Sequence, residues 1–470
     1  MTGIGFSADR DIEAEEARIA AHLESELGCS DIKIHRMRRW RPIMQADVTR
    51  DGVRQRLFLK GERTWPAHPY PLDYERDMQL ALDRNGVVVP EILGWVDDPK
   101  TIVMAWVDGG RDAGLMQEAI EHGSVMSPDR WLASLRYMEL LAELHAIPVE
   151  KFASAGAELP MTNRQVMLGN FERFHAMSDA LKITDPFIAF VSGWLRRNCP
   201  DNSSGLAFLT GDCGQFLADG PNITCLMDFE IGHIGDPMRD LACYRGRHPI
   251  ENMGDLPALF EHYSTASGKP LDLDAMAFHT VAFLAEAYYG PLFGLHDTGP
   301  GGDWVEGQVQ VAVIGRRCLE ALGEIIHVDF DWPSLPPPEA TPYEDMALAK
   351  LEADMLRLPD HPQMQDWQRN ILAALPRGLK QMGHYRFWRD RSFIADVAVL
   401  TGIAVSDVAA AEAQLLTFVR SAGPDQDEAI ARLIHARLTR DCLVIAGENP
   451  PVGHIALAPI EPILARRENC

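Results

Sequence analysis

The sequence predicts an α+β chain of two lobes with an additional C-terminal helical region. In the first hundred residues, short alternating runs typical of strands are interleaved with amphipathic helical segments. Helical patterns dominate from residue 127 to about 326, and they resume after the proline-rich stretch WPSLPPPEATP. We therefore expect an N-terminal lobe over 1–108, a mainly helical lobe over 109–331, a linker over 332–342 and a helical extension over 343–470.

The N-terminal lobe is predicted to be a small antiparallel sheet that carries one helix. Residues 11–27 have isoleucine and leucine at helical spacing, and Gly28 follows as a stop signal. Residues 72–85 predict a second helix, and 50–52 a hairpin turn. The strand candidates lie at 32–37, 44–49, 55–60, around 87–89 with 92–96, and at 101–107.

Charge and cysteine usage argue against several classes of partner. The chain has 44 basic and 68 acidic residues, a formal net charge of −24, which opposes binding to nucleic acid or anionic lipid. A single local cationic pocket would still suffice for a phosphate-bearing substrate. The 8 cysteines include no C-x-x-C pair, so zinc spacing is absent. Neither a signal peptide nor a membrane-length apolar run is visible, so we expect a reduced cytoplasmic protein.

Two aspartates carry the strongest chemical signal. Asp212 follows the apolar run LAFLT at 206–210, and Asp228 ends the run ITCLMD at 223–228. A hairpin connecting these runs would bring both carboxylates to one edge. Phosphoryl transfer needs one carboxylate to accept the proton of the attacking hydroxyl and another to hold magnesium. Either aspartate alone could equally be the cap of a turn.

The longer segment that contains both aspartates resembles a known family. LTGDCGQFLADGPNITCLMDFEIGHIGDPMRDLA, at 209–242, is similar to the catalytic loop H-G-D-x-x-x-x-N and the continuation D-x-E…G-D-P-x-x-D-L-A of aminoglycoside phosphotransferases. The resemblance covers roughly residues 30–325 and implies a two-lobed protein-kinase-like fold with ATP and Mg²⁺ as cofactors. It implies Asp212 as the base, Asp228 as the principal magnesium ligand and Gln215 as a second ligand. The residues of the motif resemble those of hydroxyacyl-CoA-type kinases more closely than those of resistance enzymes.

The N-terminal lobe offers the partners that this resemblance requires. Lys60 ends the strand candidate RLFLK, where a lysine of the family contacts ATP phosphates. Glu75 shares the apolar face of its helix and needs a cation there, so we expect a Lys60–Glu75 pair; two surface residues are the alternative. The resemblance places the hinge at Met104 to Val107, whose backbone groups would read adenine.

The sequence departs from the family pattern in three places. Thr210 stands where the family has histidine, and the loop is two residues short, with Gln215 in place of asparagine. No glycine-rich phosphate loop is visible over 36–46. Nearby arginines either bind phosphate in its place or are solvated strand residues. These arginines are Arg36, Arg38, Arg39 and Arg41. Glu230 is expected to support a second metal or the loop, and His145 to pack or to form hydrogen bonds.

Two readings of function remain open. In the first, the chain transfers the γ-phosphoryl group of ATP to a hydroxyl of a small molecule. In the second, it is a catalytically weak or inactive pseudokinase that acts as a nucleotide-binding or scaffolding module, which the three departures favour. A protein kinase is disfavoured because no activation segment follows Asp-Phe-Glu.

The helical extension needs a surface to cover its apolar positions. Those positions include Leu351, Met355, Trp367, Ile371 and Leu375. A second copy of the chain would bury them in a homodimer, and a lid over the substrate cleft of the same chain is the alternative. The run HYRFWRDR at 384–391 either binds a flat anionic group or covers the body of the protein.

Overall fold

The N-terminal part is an antiparallel sheet with a helix on each side. The computed structural model describes residues 12–37, 41–63, 68–110, 126–296, 303–359, 367–447 and 455–464. In chain order the first elements are α1 (Ile12–Leu27), β1 (Ser30–Arg36), β2 (Ile43–Arg50), β3 (Val53–Gly61), α2 (Leu72–Arg84), β4 (Ile92–Asp97) and β5 (Lys100–Ala105). The strands lie in the order β1-β2-β3-β5-β4, so β3 is flanked by β2 and β5.

The alternation of side chains along β3 decides which residues reach the site. Leu57 and Leu59 are buried against Ile19 and Leu23 of α1. Because successive side chains of a strand point to opposite faces, Lys60 points to the other face of the sheet. That face is covered by α2, so the sequence pattern of β3 directs Lys60 toward this helix.

One predicted strand segment has a different role. Residues 87–91 are not part of a strand, because Pro90 lacks the N–H that a ladder requires. Instead the carbonyl of Val88 accepts a hydrogen bond from the amide of Leu226, at 2.8 Å. The segment therefore connects the N-terminal sheet with a strand of the following part.

The second part is mainly helical. Its elements are α3 (Pro128–His145), α4 (Glu150–Ala153), α5 (Asn163–Ala180), α6 (Pro186–Arg197), β6 (Ala207–Leu209), β7 (Phe216–Asp219), β8 (Asn222–Leu226), β9 (His233–Gly235), α7 (Met238–Arg247), α8 (Leu256–Ser267), α9 (Leu273–Leu295) and α10 (Trp304–Ile326). Ser127 caps α3 by accepting from the amide of Arg130, and Pro128 occupies its first turn.

The hairpin predicted between the two aspartates pairs differently. β8 pairs with β7, and β6 pairs with β9, so the two runs expected to form one hairpin belong to separate strand pairs. The reason lies in the loop after β6, where Gly211 and Gly214 have φ values of +82° and +92°. These left-handed residues turn the chain so that a new strand begins at Phe216.

The C-terminal helices pack on the body of the same chain. After residues 327–341, which form neither helix nor strand, come α11 (Pro342–Met355), α12 (Trp367–Thr401), α13 (Val408–Ser421) and α14 (Asp427–Ala446). Leu415 and Leu438 belong to the same apolar core as Phe187 of α6 and Leu319 of α10. By contrast, α11 has no buried residue and packs against α12.

No helix within the described ranges is long and apolar enough to cross a bilayer.

Candidate active site

Lys60 joins the sheet, the helix α2 and the segment after β8. Its ammonium group contacts the carboxylate of Glu75 and lies 2.7 Å from Oδ1 of Asp228. Burial acts to lower the pKa of Lys60, but Asp228 and Glu75 outweigh it, so the pKa is raised and the amine stays charged. Burial raises the pKa of Glu75 despite the attraction of Lys60. The contact between Lys60 and Glu75 is the one expected from the sequence.

Glu230 is held by two arginines of the N-terminal part. Arg41 and Arg63 both contact its carboxylate, and Arg41 also donates to the carbonyl of Gly61, with Nη2 to oxygen at 3.0 Å. Burial acts to raise the pKa of Glu230, but Arg63, Arg41 and Lys60 together outweigh it and the pKa is lowered. Glu230 therefore anchors the segment after Asp228 to the sheet. Among the predicted arginines, Arg38 and Arg39 lie outside the described residues.

The loop that carries Asp212 is fixed by one face of α7. Asp240 accepts from the amides of Thr210 and Gly211, at 2.8 and 3.1 Å. Burial acts to raise the pKa of Asp240, but the hydrogen bond from His145 and those of the loop outweigh it and lower the pKa. Gly211 allows the loop to approach closely, because a Cβ at this position would collide with the carbonyl of Ile231.

Thr210 takes part in this anchoring. Its hydroxyl donates to Oδ2 of Asp240 at 3.0 Å, and the ring of His145 lies 3.2 Å from the same oxygen. The other ring nitrogen of His145 is 2.8 Å from the hydroxyl of Tyr263. Thr210, which stands where the family has histidine, therefore still forms a hydrogen bond with α7. His145 forms hydrogen bonds, as expected.

Two residues of the same helix, Cys243 and Arg247, contact Asp212. They lie one and two turns beyond Asp240. Cys243 lies with Sγ 3.1 Å from the amide of Cys213 and 3.7 Å from Oδ1 of Asp212. Arg247 forms an ion pair with Oδ1 of Asp212 and a second one with Glu251, at 2.6 Å. Asp212 exposes 28% of its side chain and Arg247 12%.

Gln215 connects Asp212 with the strand that leads to Asp228. Its Nε2 donates to Oδ2 of Asp212 at 2.6 Å, and its backbone carbonyl accepts from the amide of Met227 at 3.1 Å. Its Oε1 is buried and has no hydrogen-bond partner in the described part of the chain. Asp228 has φ +67°, a strained value for a residue other than glycine, and exposes 34% of its side chain. Both groups offer oxygen atoms, the donors that magnesium prefers.

The two residues expected at the hinge, Met104 and Val107, differ in their surroundings. Met104 lies inside β5 opposite Phe58 of β3 and Ile92 of β4, with its sulfur accepting from Gln79. Val107 lies beyond the end of β5, where the strands no longer flank the backbone. Val107 is therefore the better placed of the two to offer backbone groups to a ligand.

The comparisons with known proteins give similar solved structures at low sequence identity. No family model and no curated protein matches the sequence. Similar solved structures include aminoglycoside phosphotransferase APH(4)-Ia, at 14% identity over 65% of this chain and 98% of that chain, with a TM-score of 0.44. The macrolide 2'-phosphotransferase of Brachybacterium faecium gives 16% identity, coverages of 63% and 97%, and a TM-score of 0.43. The ethanolamine kinase of Plasmodium vivax gives 12%, coverages of 64% and 87%, and 0.45.

The three solved structures named above are small-molecule phosphotransferases. At these identities the likeness concerns the fold alone, and the chemistry follows from the side chains of the site.

The sequence interpretation included Asp240 in the motif without giving it a role, and it missed Cys243 and Arg247, the other residues of α7 that face the loop. Asp240, Cys243 and Arg247 lie at positions i, i+3 and i+7, the spacing that places side chains on one face of a helix. This spacing on one face of the helix was the signal available in the sequence. No sequence pattern indicates that the face would meet residues 210–213.

Proposed function

We propose that this protein transfers the γ-phosphoryl group of ATP to a hydroxyl of a small molecule. The observation that carries the proposal is the position of Lys60. It contacts Glu75 on α2 and Asp228 beyond β8, so a buried cation lies beside an accessible carboxylate where phosphates and their counterion would meet. Phosphoryl transfer depends mainly on such positioned charges.

Each side chain has a role that its surroundings support. Lys60, oriented by Glu75, would bind phosphate oxygens, because its amine remains charged when buried. Asp212 would accept the proton of the acceptor hydroxyl, since its carboxylate is accessible and fixed from two sides. Val107 would offer backbone groups to the base of the nucleotide.

The magnesium site is built from Asp228 and Gln215. An ion held by few protein side chains would take its other ligands from substrate phosphates and water. The unpartnered buried Oε1 of Gln215 fits such a ligand. Bound magnesium would neutralise charge on the phosphates. Asp228 would bind it through a carboxylate oxygen.

Two variants test the proposal. Asp228→Ala should abolish the rise in melting temperature that ATP with magnesium produces, while the chain stays folded. Asp212→Asn preserves shape but cannot accept a proton, so it should keep that rise and lose ATP turnover by about 10²- to 10⁴-fold. An unchanged rise in Asp228→Ala would contradict the metal assignment, and normal turnover in Asp212→Asn would contradict the base.

A pseudokinase is the second candidate, because Arg247 already pairs with Asp212. A carboxylate engaged by a guanidinium is less free to accept a proton from an acceptor. The same measurements separate the two readings: a pseudokinase would bind ATP with magnesium and release no ADP with any acceptor or with water.

A further inference from the structure

One face of α7 contacts four consecutive residues of the loop. Asp240 binds Thr210 and Gly211, Cys243 binds the amide of Cys213, and Arg247 binds the side chain of Asp212. The first two contacts fix the backbone of the loop. Arg247 forms the ion pair with the functional carboxylate itself, and Sγ of Cys243 lies 3.7 Å from the same carboxylate oxygen.

The geometry around Arg247 is that of a fixed group rather than a mobile one. Arg247 is the last residue of α7, where the partial negative charge of the helix end favours a cation. One arm of its guanidinium contacts Asp212 and the other Glu251, which exposes 14% of its side chain. A planar fork held by two carboxylates has little freedom to rotate.

We propose that Arg247 is a positioning residue that sets the orientation of the Asp212 carboxylate toward the acceptor hydroxyl. Oδ1 of Asp212 meets Arg247 and Oδ2 meets Gln215, so both torsions of the side chain are fixed from opposite sides. Oδ1 also accepts from Sγ of Cys243, whereas Oδ2 keeps a lone pair for the incoming proton. The inference rests on the proposed phosphotransferase function and extends it to a residue outside the motif.

The same contacts link the base to the metal ligand. Glu251, Arg247, Asp212 and Gln215 form a continuous chain of polar contacts from the end of α7 to the strand β7. The amide group of Gln215 donates to Asp212 through nitrogen, which leaves its oxygen free for magnesium. Loss of Arg247 would therefore release the base first, while Asp228 and Lys60 keep their own contacts.

The test measures ADP release from ATP and magnesium with water as the acceptor. Arg247→Met should lower the turnover number by about 10- to 100-fold, because a small displacement of a reacting group has effects of this size. The KM for ATP and the shift in melting temperature with ATP and magnesium should not change. Arg247→Lys keeps the charge but not the fork, and it should fall between Arg247→Met and the native chain.

A double-mutant cycle separates positioning from a structural role. If Arg247 acts through Asp212, the variant Asp212→Asn/Arg247→Met should be no slower than Asp212→Asn alone. Arg245→Met is the matched control: it removes a buried arginine from the same helix, but its contacts are with Glu324, Thr280 and the carbonyl of Glu461. Any effect of that control should add fully to that of Asp212→Asn.

Each outcome decides a separate point. A native chain that hydrolyses ATP and loses activity in Asp212→Asn, yet is indifferent to Arg247→Met, would overturn the role of Arg247 alone. Additive effects of Arg247→Met and Asp212→Asn would do the same. A native chain that binds ATP with magnesium but never releases ADP would overturn the proposed function and this role together. If Arg247→Met does not fold, Arg247→Lys provides the same cycle.

Discussion

At the scale of single residues, Thr210 shows how a departure from a family pattern can preserve a contact. Its hydroxyl and amide both donate to the buried carboxylate of Asp240. Thr210→Val keeps the shape and removes one bond to a charged group, so we expect a loss of about 2 kcal/mol in stability. Differential scanning calorimetry of the apo protein measures it. Thr265→Val, at an exposed position of α8, is the control, and equal melting temperatures of the two variants would contradict the role of Thr210.

The buried His233 predicts a dependence of stability on pH. Burial lowers its pKa to about 3, helped by the charge of Arg239. In the unfolded chain a histidine titrates near pH 6.5, as a rough reference value. Between these values the unfolded state binds more protons, so stability falls as the pH falls below about 6.5. At pH 5.5 this one histidine would lower the free energy of unfolding by about 1.4 kcal/mol.

A substitution isolates this contribution. Asn at position 233 can replace the hydrogen bond from Nδ1 to the carbonyl of Ile231, which spans 2.9 Å, and it does not titrate. The melting temperature of His233→Asn should therefore drop less between pH 7.5 and 5.5 than that of the native chain. The control His35→Asn, at an exposed position of β1, should show the same drop in melting temperature between pH 7.5 and 5.5 as the native chain. Identical slopes for all three proteins would show that His233 is not the cause.

The sequence could predict some contacts of the site because they follow from local pattern and charge. Glu75 lies on an apolar helix face and needs a cation, and Lys60 is the cation at the end of the adjacent strand. Arg247 could not be predicted this way. Its partner, Asp212, is thirty-five residues earlier, and their contact depends on how the loop crosses α7.

At the scale of elements, strands and helices were predictable where one periodicity dominates. The pairing of β6 with β9, rather than with β8, was not, because Gly211 and Gly214 redirect the chain through left-handed conformations that hydrophobic pattern does not encode. A short apolar strand can pair with several other strands, and tertiary packing decides which pairing forms.

Residues 455–464 form a segment, here called the strap, that lies across α7 and α10. Glu324 of α10 accepts from the amides of Ile463 and Leu464, each at 2.6 Å, and it also pairs with the fully buried Arg245. Arg245 in turn donates to the carbonyl of Glu461 at 2.8 Å. Hydrogen bonds thereby join the strap to both helices.

Glu324→Ala should release this strap. It removes two amide acceptors and leaves the charge of Arg245 buried without a carboxylate, a change that costs about 3–5 kcal/mol in comparable cases. Hydrogen exchange at Ile463 and Leu464 should accelerate far more than exchange in β2 and β3. Glu344→Ala, at an exposed position of α11, should leave the exchange of the strap unchanged. Preserved protection of both amides in Glu324→Ala would contradict the anchoring role.

At the scale of the whole molecule, the C-terminal extension divides into two parts. The end of α12, with α13 and α14, shares the apolar core of the body, and Arg437 lies over the ring of Phe393 at 4.4 Å from its centroid. Their apolar faces are thus covered within the chain. Tyr385 of the run 384–391 is buried, whereas Phe387 exposes 57% of its surface.

The other part, α11 with the first half of α12, keeps an exposed apolar surface. Tyr343 and Met346 expose 82% and 64% of their surface, and Leu351 exposes 44%. They lie on a helix without a buried residue, so intrachain packing does not account for their side chains. Among the positions named from the sequence, Ile371 and Leu375 are half-buried, and the side chain of Trp367 lies outside the described residues.

Homodimerisation therefore remains a prediction, and the surface expected to form the dimer interface is now limited to α11. In a two-fold dimer the same surface of each copy would cover that of the other. We expect light scattering at tens of micromolar to give about twice the mass of one chain for the full-length protein, and the mass of one chain for Tyr343→Asp/Met346→Asp. Glu344→Lys, on the same helix but outside the apolar set, should remain dimeric and control for charge. A native chain with the mass of a single copy at that concentration would reject the dimer and favour the alternative, in which the extension acts as a lid on the substrate cleft of its own chain.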